Sequence, residues 1–269
     1  MDSVRVKLEP LVRGFFTFIL LFCVMNTGLA QEVTKVTILA DDDYPPYSYV
    51  EKGKLKGIYV RLIHRAANYL PEQYKVNLVA MPWKRALAQI ENGRALAIIP
   101  PYLHIEARPY IEPYSIPLGT ESVVTYCRKH VPLQAILDSL EFSEWTIHIG
   151  INAGYILLND RYYRAINAGK IKMWENKSTD ANLMKLLTNK IDCYVNDSIS
   201  INVALNHIKK ELQNIDITGV EEMDRISSNT AHIGYSNTNN SQFPFKDDFV
   251  IQMNKAIKLA LMDLDKTNQ

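Results

Sequence analysis

The chain has 269 residues, 47% of them hydrophobic, and carries 30 Lys+Arg against 29 Asp+Glu, a formal net charge of +1. Such a balance offers no basic excess to release counterions from nucleic acid or to seek an anionic membrane surface. Three cysteines are too few for a disulfide framework.

The first thirty residues read as a secretory signal peptide. Arg5, Lys7 and Arg13 make a basic start, and "FFTFILLFCVM" (15–25) is an apolar run of 11 residues. A spanning helix needs about 20. "NTGLA" then sets Gly28 and Ala30 for cleavage before Gln31. Residues 1–30 hold three basic and two acidic side chains, so the exported chain carries 27 of each sign. The expectation is an exported, soluble protein long enough for one large domain or two lobes of roughly 100–120 residues. Its two remaining cysteines, Cys127 and Cys193, read as buried thiols in strands, with a disulfide between them, which export permits, as the open alternative.

Strand and helix patterns then alternate. "VTKVTILA" (33–40) reads as a strand, and 57–70 as a helix with Tyr59, Ile63, Ala66 and Leu70 on one face. "YKVNLVA" (74–80) is a strand. Pro82 suits the first turn of a helix whose Trp83, Ala86, Leu87 and Ile90 share a face, and Asn92-Gly93 stops it before a buried strand at 94–100. This βαβαβ series predicts a parallel sheet. A proline-rich stretch leads to a strand at 121–130, and a second series follows: strand 144–151, helix 153–169, strand 170–176, helix 178–190, strand 191–197 and a helix to about Lys210. Strands at 214–220 and 229–236 and a C-terminal helix complete the pattern. Two α/β series joined by two extended segments predict two lobes with a double crossover, hinged near 121–130 and 226–236. The first lobe would take 31–125 and 232–269, the second 126–231.

In open α/β sheets ligands gather beyond the carboxyl ends of strands, and there the unusual residues sit: Asp41–Tyr47, Pro100–Arg108, Asn152–Gly154 and Asp197. A cleft between the lobes follows. The six histidines show no i, i+4 pair, no CxxC occurs, and Asp41–Asp43 lack an EF-hand's spacing, so no metal is expected. The absence of GxxxxGK[ST], GxGxxG and GxSxG gives no motif for a nucleotide cofactor or a hydrolase elbow. Glu106, Glu112 and Glu121 read as solvated surface, and at least two of Asp41–Asp43 as caps of local amides. Among the aromatics, Tyr47 reads as core. Trp83, opening a helix after Met81-Pro82, can be aimed outward from the sheet edge or packed inward.

Five segments in order resemble the bacterial extracellular solute-binding proteins of family 3, the polar amino-acid class: "DDDYPPYSYVEKGKLKGIYVRLIHRAA", "MPWKRALAQIENGRALAII", "IEARPYIEPYSIP", "LMKLLTNKIDCYVND" and "AHIGYS". The resemblance implies an α/β, two-lobed type II periplasmic-binding-protein fold with two open sheets joined by a double-crossover hinge. It implies a monomer that captures a small polar ligand, an amino acid or a related compound, for an inner-membrane ABC permease or a sensor. Relatives on this fold also include dehydratases, so a small-molecule lyase is the alternative. Carried over by position, Tyr44 and Trp83 face each other across the ligand, Arg108 grips an α-carboxylate, Asp197 receives an α-ammonium and Gly154 turns its amide to the ligand. The chain departs from the family at Pro100-Pro101-Tyr102, where members present a Gly-x-Thr/Ser segment of hydrogen-bond donors. Proline has no N–H to give, so the departure opens the way to another small carboxylate or amine.

Overall fold

A computed structural model describes residues 32–139, 145–212 and 214–267. The signal-peptide expectation for residues 1–30 lies outside the described residues.

The chain opens with β1 (Thr34–Asp41), whose inward face carries Val36, Ile38 and Ala40. A small antiparallel sheet follows, from β2 (Asp43–Tyr44), β3 (Ser48–Glu51) and β4 (Lys54–Lys56). Gly57 adopts φ 132°, where a Cβ would lie 2.0 Å from the Tyr47 carbonyl oxygen, so only glycine passes this corner. Then come α1 (Ile58–Ala67), β5 (Tyr74–Met81), α2 (Trp83–Glu91), β6 (Ala97–Ile99) and β7 (Ile111–Tyr114). In α1 the buried residues Tyr59, Leu62, Ile63 and Ala66 fall at helical spacing, as do Trp83, Ala86, Leu87 and Ile90 in α2.

The second lobe is built from β8 (Gly119–Arg128), α3 (Leu133–Asp138), β9 (Ile147–Asn152), α4 (Asp160–Asn167), β10 (Ile171–Asn176), α5 (Thr179–Leu187), β11 (Cys193–Asp197), α6 (Ser198–Glu211) and β12 (Val220–Ala231). The chain returns through β13 (Gly234–Ser236) and ends in α7 (Lys246–Thr267). The first large sheet runs β5-β1-β6-β13-β7 and the second β10-β9-β11-β8-β12. In each, three adjacent strands pair in parallel, one strand (β13 or β8) runs against them, and the edge strand beyond it (β7 or β12) pairs antiparallel with that one. Parallel neighbours are joined through helices, as the crossover between parallel strands requires. The chain passes between the sheets twice, after β7 and after β12.

Several sequence expectations are revised. β8, which the reading divided at residue 125, lies throughout in the second sheet. The expected strand at 214–220 is irregular up to Gly219, and a 12-residue strand, β12, begins at Val220 instead. The helix expected over 153–169 begins only at Asp160, where the Asn159 side chain accepts the Arg161 N–H. Gly154 holds φ 82°, and residues 155–159 are irregular loop rather than first turns. Cys127 and Cys193 are not free thiols. They face each other directly across the antiparallel β8–β11 pair and form a disulfide, with Cα atoms 4.0 Å apart.

Candidate ligand-binding site

The first lobe brings three elements to the cleft. β1 ends at Asp41, which is 3% exposed, and Ser48 Oγ donates to the Asp41 carbonyl oxygen at 2.6 Å to fix the strand end. Asp41 Oδ1 accepts the Asp43 N–H at 3.1 Å, the local cap the sequence suggested. Its Oδ2 faces the cleft and accepts the Tyr155 hydroxyl at 2.7 Å. Burial pushes the Asp41 carboxyl up to about 7, partly offset by these two hydrogen bonds. Asp43 is raised to about 6, first by burial and then by Asp180 across the cleft.

Trp83 and Arg108 supply the second and third elements. Trp83 starts α2, and its ring is buried. The Arg108 guanidinium lies 5.6 Å from that ring's centroid, a cation–π arrangement. Both side chains turn to one atom of the second lobe: Arg108 Nη2 donates to the Gly154 carbonyl at 2.6 Å, and Trp83 Nε1 donates to it at 3.3 Å. Burial lowers the Arg108 pKa without discharging a guanidinium. The Gly154 N–H donates to Glu175 Oε1 at 3.1 Å, and Glu175 Oε2 accepts from Lys84 of the first lobe at 2.7 Å. A Cβ on Gly154 would stand 3.4 Å from Trp83 Cδ1, so the lobes meet in close contact there.

Tyr155 follows Gly154 into the cleft. Its ring sits edge-on to Tyr44 (centroids 5.6 Å apart) and to Trp83 (6.0 Å). Around it lies empty space of about 320 Å³, counting the open mouth, walled by Tyr44, Trp83, Tyr102 and Arg108 and floored by Pro100 and Pro101.

Behind this cavity lies a phenol–carboxylate network. Tyr44 donates to Glu121 Oε2, as does Tyr102 at 2.5 Å, and Tyr59 donates to Oε1 at 2.8 Å. Glu121 stands near the start of β8, where the chain has just crossed between lobes, and is 1% exposed. The surface expectation for it is therefore corrected. Burial raises its carboxyl to about 7 against the lowering effect of the three hydroxyls. Tyr47 is core, as read from the sequence, stacked on Tyr59 at 5.0 Å, and it donates to Asp197 Oδ1 at 2.9 Å.

Of the five residues carried over by position, Tyr44, Trp83 and Arg108 line one cavity, and Gly154 presents its carbonyl to two of them. Asp197 stands apart. It is fully buried, caps α6 through the Ser200 N–H (2.9 Å), also accepts the Ser122 N–H (3.0 Å) and Tyr47, and lines neither cleft cavity. Sequence reasoning put Asp41 on the cleft wall without a ligand role, read Glu121 as surface, and passed over Tyr155. The signal for Asp41 was present in its place at a strand's carboxyl end. Among the described residues, no group of three His, Cys, Asp or Glu is placed to hold a metal ion, and no helix is long and apolar enough to cross a membrane.

Two α/β lobes crossed twice by the chain, with a cavity at their seam, define a type II periplasmic-binding-protein architecture. The family model for bacterial extracellular solute-binding proteins, family 3, matches residues 36–259, and the chain belongs to that family. Among solved structures, a histidine kinase sensor domain with similarity to periplasmic binding proteins aligns over 88% of this chain and 93% of its own, at 16% identity and TM-score 0.65. The substrate-binding protein of an amino acid ABC transporter aligns over 86% and 94%, at 15% identity and TM-score 0.60. The arginine-, lysine-, histidine-binding protein ArtJ from Geobacillus stearothermophilus aligns over 86% and 90%, at 16% identity and TM-score 0.60. At these identities the likeness shows the fold alone. No curated protein matches the sequence.

Proposed function

We propose that the protein is an exported binding protein that captures a small polar ligand, an amino acid or a related compound, between its lobes and delivers it to an inner-membrane partner. The observation that carries this reading is the convergence of Arg108, Trp83 and Tyr44 on one interlobe cavity, with Gly154 closing it from the opposite lobe. A guanidinium over an indole, with prongs free beyond the one on Gly154, suits a carboxylate. The proline floor contributes no N–H, so Arg108 bears more of that recognition than donors on a loop would leave it. An ammonium finds its counter-charge at Asp41, whose carboxylate reaches the cavity, whereas Asp197 is occupied by the Ser122 and Ser200 N–H groups of its own lobe and by the Tyr47 hydroxyl of the first. Family membership supports a non-enzymatic role with an ABC permease, and the likeness to a sensor domain supports the same capture step coupled to signalling.

A lyase reading draws on one observation, the Asp41 carboxyl poised near neutrality beside the Tyr155 hydroxyl. The experiment that separates the readings is a thermal-shift screen against amino acids, small organic acids and amines, followed by product analysis of each hit. A ligand at 100 times its dissociation constant stabilises by about 2.7 kcal/mol. Stabilisation without turnover supports capture. Product formation establishes an enzyme, and no hit in any class removes the small-ligand reading.

A further inference from the structure

The cleft holds two chambers, and one side chain stands between them. Beside the cavity at Arg108 lies a second, about 460 Å³ of empty space counting its open mouth, bounded by Asp42, Asp43, Lys84 and Lys177. The two cavities share three lining residues: Asp41, Trp83 and Tyr155. Asp41 and Trp83 are fixed parts of the first lobe, at the end of β1 and the start of α2. Tyr155 alone reaches over from the second lobe. It comes from the irregular loop that precedes α4, its ring is braced edge-on by Tyr44 and Trp83, and its hydroxyl is tied to Asp41. The chambers differ in chemistry. The first sets the Arg108 cation and Asp41 beside Pro100, Pro101 and Leu157, and the second adds Asp42 and Asp43 together with Lys84 and Lys177.

We propose that Tyr155 determines ligand length in this cleft: its ring is a partition that confines ligands to compact carboxylates in the Arg108 chamber. The inference rests on the reading of this cleft as the ligand site. A carboxylate with a distant ammonium would need to lie across both chambers, its anion at Arg108 and its cation among the aspartates, along the line the ring occupies. The ring supplies the obstruction and the hydroxyl only anchors it. Removing the ring therefore joins the chambers, and removing the hydroxyl leaves them divided.

The test is calorimetric titration of 6-aminohexanoate into wild type, Tyr155→Phe, Tyr155→Leu and Tyr155→Ala. Tyr155→Ala should bind this probe at least about tenfold more tightly than wild type. Tyr155→Leu should fall between them, and Tyr155→Phe should match wild type. p-Cresol, the excised side chain, should refill the gap and compete with 6-aminohexanoate in Tyr155→Ala while leaving wild type unaffected; a role confined to folding would not produce that competition. Equal affinity of the probe for wild type and Tyr155→Ala overturns the proposal. If Tyr155→Ala does not fold, equal affinity for wild type and Tyr155→Leu overturns it instead. A gain as large in Tyr155→Phe also overturns it, by giving the effect to the hydroxyl. These results are read separately from the screen of wild type: a wild type that binds no natural small molecule would sink the proposed function, yet the gain in the variants would still report the partition.

Discussion

Replacing Glu121 with Gln keeps the shape of the side chain and removes its charge, which isolates what a buried carboxyl at the lobe crossing does to stability. Three phenols donate to Glu121, yet burial still raises its pKa from 4.5 to about 7. A carboxyl with a folded-state pKa above its unfolded value is held more favourably when protonated. Its contribution is complete below the unfolded value near 4.5 and is lost as pH rises through about 7. A displacement of that size corresponds to roughly 3 kcal/mol. Asp41 titrates over a similar window with the same sign, so an absolute slope would mix the two groups. The comparison with Glu121→Gln cancels Asp41. Urea unfolding of both proteins, followed by circular dichroism below the unfolded pKa and again a unit above the folded one, gives the two differences. Between those conditions wild type should lose roughly 3 kcal/mol relative to the variant. A difference that stays constant with pH would refute the argument, because the carboxyl would then have the same proton affinity folded and unfolded.

Two further outcomes follow from the cores of the two lobes. Reducing the Cys127–Cys193 bridge, which closes 66 residues of sequence, should cost about 4 kcal/mol on the chain-entropy account. Cys127→Ser/Cys193→Ser should reproduce the loss in denaturant titrations, and unchanged stability in both would show that the strands hold this register without the bond. Trp83 is 7% exposed at the cleft, whereas Trp145 and Trp174 are 42% and 51% exposed. A ligand found in the screen should therefore shift the emission of wild type and leave Trp83→Phe nearly unchanged. A full response in Trp83→Phe would move the reporter away from the cleft.

The parts of this molecule that obey a simple period were legible in its sequence. α2 could be placed because Trp83, Ala86, Leu87 and Ile90 mark one face, and β1 because its apolar run ends in a sharp change to aspartates. β12 was obscured because its sequence, VEEMDRISSNTA, is polar and its register shifts twice, between Glu222 and Asp224 and between Arg225 and Ser227. Each shift resets which face a residue occupies, so alternation fails as a signal. The disulfide needed the β8–β11 register, which two cysteines far apart in sequence do not reveal. Tyr155 was lost for a related reason. Read as helix from 153, its position has no special meaning; only the late start of α4 at its Asn159 cap leaves a loop from which Tyr155 reaches Asp41 of the other lobe. Glu121 looked like any exposed glutamate because its three tyrosine donors come from positions 19 to 77 residues away.

The claim that a small carboxylate is held between the lobes at Arg108 is tested most directly by calorimetry of the best-binding compound on wild type and Arg108→Ala. Arg108 is 4% exposed, so a ligand carboxylate there would be left buried without its partner. Loss of a partner from a buried charge pair typically costs about 2–5 kcal/mol, or roughly 30-fold to several thousand-fold in affinity. The account expects that loss for Arg108→Ala, a smaller one for Arg108→Lys, and no further loss when the ligand's carboxylate is methylated in the Arg108→Ala background. Equal affinity of wild type and Arg108→Ala for the unmodified ligand would contradict it.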